Sequence, residues 1–234
     1  MKSKLIENCR KQGKIVKNSV SYLEDETLLK MSQKLVNYLR GNVRIHDDWE
    51  FVHLETISMN LVTLKLRNEG IPYKALTHLT IPNLNGEKSN IKPDGGCVAA
   101  VKKNDGGEIV SWFPLVASES KHQGSIDKPK QAKGNAIERV FKNYNVIVNI
   151  CRNDRITPFV CFCQGCDMNN EYVKNKLRQG FNCDIGSQSI KTDDYDFRKP
   201  QIWAREETWT PDEIYEKLKS CVLEAYEYYK DRMD

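Results

Sequence analysis

Two short apolar runs separated by a compact turn constrain this chain more than any other feature. Val98–Val101 is apolar, Asn104-Asp105-Gly106-Gly107 is a strong turn signal, and Ile109–Ala117 is apolar again. Runs of that length around such a tetrad predict a β-hairpin. With the turn centred near Asp105, residues whose numbers sum to about 212 face one another across the antiparallel ladder. Asp94 then lies opposite residues 117–119, close in space to Glu119 although far from it along the chain. Side chains alternate along a strand, so Glu119 and Lys121 share a face. Pro93 fixes the backbone leading into Asp94, and Gly95 and Gly96 let a backbone, a metal or a phosphate come close.

Two carboxylates and an ammonium are thereby expected at one edge of a sheet. Carboxylate oxygens suit Mg²⁺, which keeps several waters and takes one or two protein carboxylates. A lysine beside them can hold a water and stabilise charge developing on a phosphate. Asp94, Glu119 and Lys121 are the candidate catalytic residues. The competing reading of so short a pattern is a hairpin end carrying ordinary solvated charges.

The rest of the chain suits one domain over residues 1–234. The sequence is 39% hydrophobic and 29% charged, the balance of a folded soluble protein. The N-terminal residues Met1-Lys2-Ser3-Lys4-Leu5 lack a signal-peptide core. No apolar run approaches membrane-spanning length, so a cytoplasmic location away from membranes is expected. Leu28, Met31, Leu35 and Leu39 recur at helical spacing within a helical first 40 residues, and Gly41 is a stop signal. Leu61, Leu64 and Leu66 suit a helix ending near Gly70, and residues 82–90 read as a loop. A helix is predicted from about Asn135 towards Ile150, and a buried strand over Thr157–Cys163. Thr210, Pro211 and Glu213 announce a final helix through a capping box. Its predicted buried stripe is Ile214, Leu218, Cys221, Val222 and Ala225.

Charge is informative locally. Between Lys121 and Lys142 six basic residues face only Asp127 and Glu138, a surplus as large as the +4 of the whole chain. A local positive stripe attracts a phosphate backbone where an average charge does not. The eight cysteines are expected to be free thiols. Cys161, Cys163, Cys166 and Cys183 leave a zinc reading open, but Cys161 and Cys163 fall in an apolar strand where cysteine packs as a small hydrophobe. Trp203, Trp209, Tyr226, Tyr228 and Tyr229 read as core or dimer-interface residues more readily than as base-stacking platforms.

Three blocks occur in order: Ile91-Lys92-Pro93-Asp94-Gly95-Gly96, Glu119-Ser120-Lys121-His122-Gln123-Gly124 and Gly134-Asn135-Ala136-Ile137-Glu138-Arg139. Together they resemble the EcoRI/MunI-like type II restriction endonucleases, over about residues 90–145. The resemblance implies an α/β fold, a mixed central β-sheet flanked by helices, of the PD-(D/E)xK nuclease type. It implies a homodimer acting on a palindrome in double-stranded DNA. Asp94, Glu119 and the backbone carbonyl of Ser120 would bind Mg²⁺, Lys121 would assist the water, and His122 would sit behind the site.

For the third block, a plain N-cap is the simplest reading of Asn135. The resemblance adds direct readout: Asn135 and Arg139 on base edges, Ala136 against the bases, and Glu138 bridging to Arg139 of the partner subunit. Gly134 would allow the turn into the helix. Lys128 and Lys130 would contact phosphate, and Lys133 either phosphate or an outer guanine. Arg178 is a weaker candidate for a similar contact. The implied target has an AATT core, with CAATTG favoured over GAATTC or bare AATT. A methyltransferase for the same site would belong to the same restriction–modification system without direct contact. The alternatives are a DNA-binding protein that no longer cleaves, against which the intact Asp94, Glu119 and Lys121 speak, and a less specific repair nuclease of the same fold, against which the third block speaks.

Overall fold

The computed structural model describes residues 20–71, 90–123, 133–168, 170–181, 185–186 and 198–234, with side chains for all of these except 20–23, 133–139 and 185–186. The elements in chain order are α1 (Val20–Asn42), β1 (Trp49–Leu54), α2 (Met59–Asn68), β2 (Cys97–Lys103), β3 (Ile109–His122), α3 (Lys133–Ile150), β4 (Phe159–Gln164), α4 (Glu171–Phe181), β5 (Ile185–Gly186), β6 (Gln201–Arg205) and α5 (Pro211–Tyr229). The predicted loop over 82–90 lies outside the described residues except for Asn90.

The strands form one sheet in the order β1-β2-β3-β4-β6-β5. β1, β2 and β3 pair antiparallel, whereas β3, β4, β6 and β5 pair parallel. This is the mixed sheet expected. Apolar side chains cover both of its faces, so each face needs its own layer of helices. On one face Cys97, Ala99, Val101, Phe159 and Cys161 pack against α2, α3 and α4. On the other Val98, Ala100, Leu115, Val160 and Trp203 pack against α1 and α5.

The hairpin forms as predicted, and Gly107 takes a φ of +79° in its turn, a conformation glycine enters at little cost. β3 is longer than expected and continues through His122. Its register also differs. Lys103 faces Ile109, Val101 faces Trp112, and Cys97 faces Ala117, with irregularities between Lys102 and Lys103 and between Val98 and Ala99. Each inserts one extra residue into β3, so the strand gains two positions on β2 by the time it leaves the core. Pro114, which has no N–H to give to a ladder, sits at the second irregularity.

Local signals at the helix ends hold where their partners are adjacent in sequence. α1 ends at Asn42, one residue past Gly41. Ser58 caps α2, accepting from the Leu61 N–H at 3.3 Å. The Trp112 indole N–H donates to the Leu61 carbonyl at 2.8 Å, fastening that helix to β3. α3 begins at Lys133, two residues before the predicted start, and β4 begins at Phe159, two residues after it. The predicted stripe of α5 is buried throughout. Trp203, Trp209 and Tyr229 are buried too, and Tyr226 and Tyr228 pack at the edge of the same cluster.

The capping box of α5 is complete. Thr210 Oγ1 accepts from the Glu213 N–H at 3.3 Å, and Glu213 Oε2 accepts from the Thr210 N–H at 2.9 Å. Arg205 also forks onto both oxygens of Glu213, at 2.7 and 2.6 Å. These bonds, those from Arg205 foremost, hold the Glu213 carboxyl down at about 2 instead of 4.5. A carboxylate held below its unfolded value stabilises the fold above that value and ceases to do so as pH falls through the folded one. The stability difference between the parent chain and Glu213→Gln, from urea unfolding, is therefore expected to be full above pH 4.5 and to fade as pH falls towards 2.

A second polar assembly lies deep between α2, α5 and the turn after α3. Lys65, 1% exposed, pairs with Glu69 at 2.7 Å and Asp154 at 3.2 Å. Asp154 also accepts from the Tyr229 hydroxyl at 2.6 Å and from Arg232 at 2.6 Å, and Arg232 reaches Glu69 as well. The Lys65 ammonium lies over the rings of Phe113 and Tyr229, 4.9 and 5.5 Å from their centroids.

Candidate active site

The geometry around Asp94, Glu119 and Lys121 follows from how β3 leaves the core. Past Ala117 β4 continues beside it on one edge, while on the β2 edge its partner is no longer a regular strand but the Pro93–Gly96 segment. The Gly95 N–H donates to the Ser118 carbonyl at 3.0 Å, and the Ser118 N–H to the Gly96 carbonyl at 3.2 Å. Asp94 is therefore displaced along β3 from the predicted position, and its Oδ2 accepts from the Ser120 N–H at 3.2 Å. The two irregularities in β3 cause the displacement. They also bring the Asp94 carboxylate level with Lys121.

Gly96 makes this segment possible. It has a φ of +69°, and an added Cβ would lie 2.7 Å from the Leu54 carbonyl and 2.6 Å from the His53 ring. That ring in turn hydrogen-bonds the Gly95 carbonyl at 2.9 Å, so β1 braces the segment from the far side. Gly96→Ala is expected to cost about 1–3 kcal/mol and to displace Asp94. Chemical denaturation and a two-dimensional NMR spectrum of the variant check this, and an unchanged stability with unshifted resonances around Asp94 would contradict it.

Glu119 and Lys121 point together towards the α3 side of the sheet, as alternation requires. The Lys121 ammonium donates to Glu119 Oε2 at 2.7 Å, to the Ser120 carbonyl at 2.8 Å and to Asp94 Oδ2. One cation thus sits where three oxygens converge. Glu119 is 1% exposed. Burial pushes its carboxyl up to about 8, with Asp94 adding to the rise and Lys121 opposing it. Burial alone would lower the Lys121 ammonium, but Glu119 and Asp94 outweigh it and hold it above its ordinary value. A buried Glu119 carboxylate beside the partly exposed Asp94 therefore requires a cation or a proton between them.

Asn143 was not singled out in the sequence. It lies in the middle of α3, and its amide donates to the remaining oxygen of Glu119, Oε1, and to the Lys92 carbonyl at 3.4 Å. Its spacing from the Asn135 block, two helical turns, was the only available signal. His122 points the other way, behind the site as expected, and bonds Glu24 at 2.8 Å. On the same side Ser118 Oγ meets Ser32 Oγ at 3.5 Å.

Lys133, Gly134, Asn135, Ala136, Glu138 and Arg139 form the first turns of α3, and their side chains are outside the described residues, as are Lys128 and Lys130 entirely. Arg178 is half-buried on α4, paired with Glu171 at 3.2 Å and Asn175 at 2.7 Å. Cys161 and Cys163 are buried in β4, facing Glu119 and Lys121 in register, with their sulfurs 3.6 Å apart. Cys183 is outside the described residues. Among the described residues no group of three or more His, Cys, Asp or Glu could hold a metal. Asp94 and Glu119 make a two-carboxylate site, of a kind that a hard divalent cation occupies with waters and substrate completing its shell.

A mixed sheet with helices on both faces, with Glu119 and Lys121 at the outer end of β3 and Asp94 beside them on the segment before β2, defines a restriction-endonuclease-type α/β fold. Residues 74–196, just over half of the chain, match the family described as "Restriction endonuclease EcoRI". The chain belongs to the EcoRI restriction endonuclease family. It is 34% identical over 110 residues to the type II restriction enzyme EcoRI of Escherichia coli, covering 39% of this chain and 38% of that protein. It is 33% identical over 99 residues to the type II restriction enzyme RsrI of Cereibacter sphaeroides, covering 36% and 34%. The match thus spans little more than a third of each of these relatives. No helix among the described residues is long and apolar enough to cross a membrane.

Proposed function

We propose that the chain is a type II site-specific deoxyribonuclease that hydrolyses phosphodiester bonds in double-stranded DNA. The observation that carries the proposal is the convergence of Asp94, Glu119 and Lys121 in a chain of this family. Mg²⁺ is the proposed cofactor. Asp94 Oδ2, Glu119 Oε2 and the Ser120 carbonyl would hold it, because these three oxygens already surround one cation, the Lys121 ammonium. When bound, the ion would offset charge on the scissile phosphate and lower the pKa of an attacking water.

The protein's own groups have distinct tasks. Lys121 remains protonated, so it donates hydrogen bonds to a water or to a phosphate oxygen as charge builds on it. Glu119, fixed through one oxygen by Asn143, presents the other to the site. His53 and Gly96 keep Asp94 at the same level.

The proposed target is a palindrome with an AATT core, CAATTG ahead of GAATTC or bare AATT, bound by a homodimer. Asn135 and Arg139 would read base edges, and Ala136 would lie against the bases after the turn at Gly134. Glu138 would bridge to Arg139 of the partner subunit. Lys128 and Lys130 would contact phosphate, and Lys133 phosphate or an outer guanine. We place the enzyme in the cytoplasm, in a restriction–modification system with a methyltransferase for the same site. Incubation of long DNA with the protein and Mg²⁺, followed by mapping of the ends, tests the proposal. Discrete cuts at AATT-containing sites support it; a smear, or tight binding without cuts, overturns it.

A further inference from the structure

We propose that Asn143 is a positioning residue that ties the metal-binding carboxylates to α3, the helix whose first turns carry the proposed base-reading residues. The inference rests on the functional reading above. The carboxylates come from two separate pieces of chain, Asp94 from the segment after Lys92 and Glu119 from β3. The Asn143 amide reaches both. Its two N–H donors are directed at Glu119 Oε1 and at the Lys92 carbonyl, two residues before Asp94. Lys121 occupies Glu119 Oε2, so Asn143 is what satisfies the other oxygen of a carboxylate that is 1% exposed. A buried carboxylate oxygen left without a donor is costly. It also leaves the carboxylate free to turn away from the position where it meets Asp94.

Asn143 itself is only half-buried, so its place in the packing is small compared with its place in the hydrogen bonding. It lies four residues, about one turn, after Arg139 on the same continuous helix. A shift of the helix on docking to DNA would be transmitted through one amide to the carboxylates. Partners that orient metal-binding side chains are worth about 10–100-fold in metal affinity or activity.

The test uses Asn143→Ala and the near-isosteric Asn143→Leu, which removes both donors while keeping the bulk. Mn²⁺ uptake by the DNA-free protein is followed by electron paramagnetic resonance. DNA affinity is measured in metal-free buffer, and single-turnover cleavage as a function of Mg²⁺. Both variants should bind Mn²⁺ about 10–100-fold more weakly and need correspondingly more Mg²⁺ for half-maximal rate. Their metal-free DNA affinity should stay near that of the parent, and their thermal unfolding should fall modestly, by the cost of the unpaired Glu119 oxygen, with the folded state retained. Unchanged Mn²⁺ affinity in either folded variant overturns the assignment, and so does a parallel loss of DNA affinity, which would make Asn143 a DNA contact. A parent protein that takes up no Mn²⁺ overturns it as well. If the parent takes up Mn²⁺ and the variants do not, but no DNA is cut, the positioning role stands and the nuclease reading falls.

Discussion

Lys121→Ala is expected to lower the single-turnover cleavage rate by roughly a thousandfold, the upper range for removing one donor to developing charge, while specific DNA binding remains largely intact. The Lys121 ammonium touches Asp94, Glu119 and the Ser120 carbonyl. The proposed base-reading residues lie elsewhere, in the first turns of α3. Loss of the ammonium therefore removes chemistry and leaves recognition. It also leaves three oxygens converging on nothing, which favours a divalent cation there, so metal binding should persist. Lys121→Arg should not restore the rate, because a planar fork does not replace a compact point charge among three acceptors. Filter binding in Ca²⁺ beside cleavage in Mg²⁺ separates the two effects. A fall in DNA affinity equal to the fall in rate would contradict the role.

The largest effect on stability is expected at Asp154. Its carboxylate accepts from Lys65, Tyr229 and Arg232 at once. Asp154→Ala would leave Lys65 and Arg232 sharing Glu69 in a site where Lys65 has almost no contact with water. Breaking a buried pair by removing one partner costs about 3–5 kcal/mol. A domain typically has only about 5–15 kcal/mol to lose, so the variant should unfold at much lower urea concentration. Replacing Lys65 by methionine in the same chain should recover part of the loss, because the uncompensated cation disappears and the thioether can pack against the Phe113 and Tyr229 rings in its place. Equilibrium denaturation of both single variants and the double variant gives the coupling directly. A cost below about 1 kcal/mol for Asp154→Ala would mean that water reaches the assembly, contrary to the burial of Lys65.

What could be read in advance divides by the range of the interaction. The hairpin and the capped α5 were legible because their signals, the Asn104–Gly107 turn and Thr210 with Glu213, act within a few residues. The convergence of Asp94, Glu119 and Lys121 followed from the hairpin. The register did not, because the extra residues in β3 depend on how it packs against β2 and the helices, and nothing at Val110 or Leu115 fixed their number. β1 went unread because Trp49–Leu54 is short and its partner β2 lies far along the chain. Asn143 was hidden for a similar reason. Its link to Glu119 exists only once α3 lies across the sheet, and an asparagine within a helix carries no local mark of that contact. Lys65 in an otherwise leucine-rich stretch reads as a solvated side chain, and only the arrival of Asp154 and Glu69 makes its burial tolerable.

The turn at the far end of the hairpin has a practical use. Asn104–Gly107 is exposed, and about a dozen residues of β3, at roughly 3.4 Å each, separate it from Glu119. Loop tips of this kind tolerate insertion best. A fluorophore or a tether for surface attachment placed there would stand some 40 Å from the carboxylates along a straight strand, a suitable handle for watching single molecules on DNA.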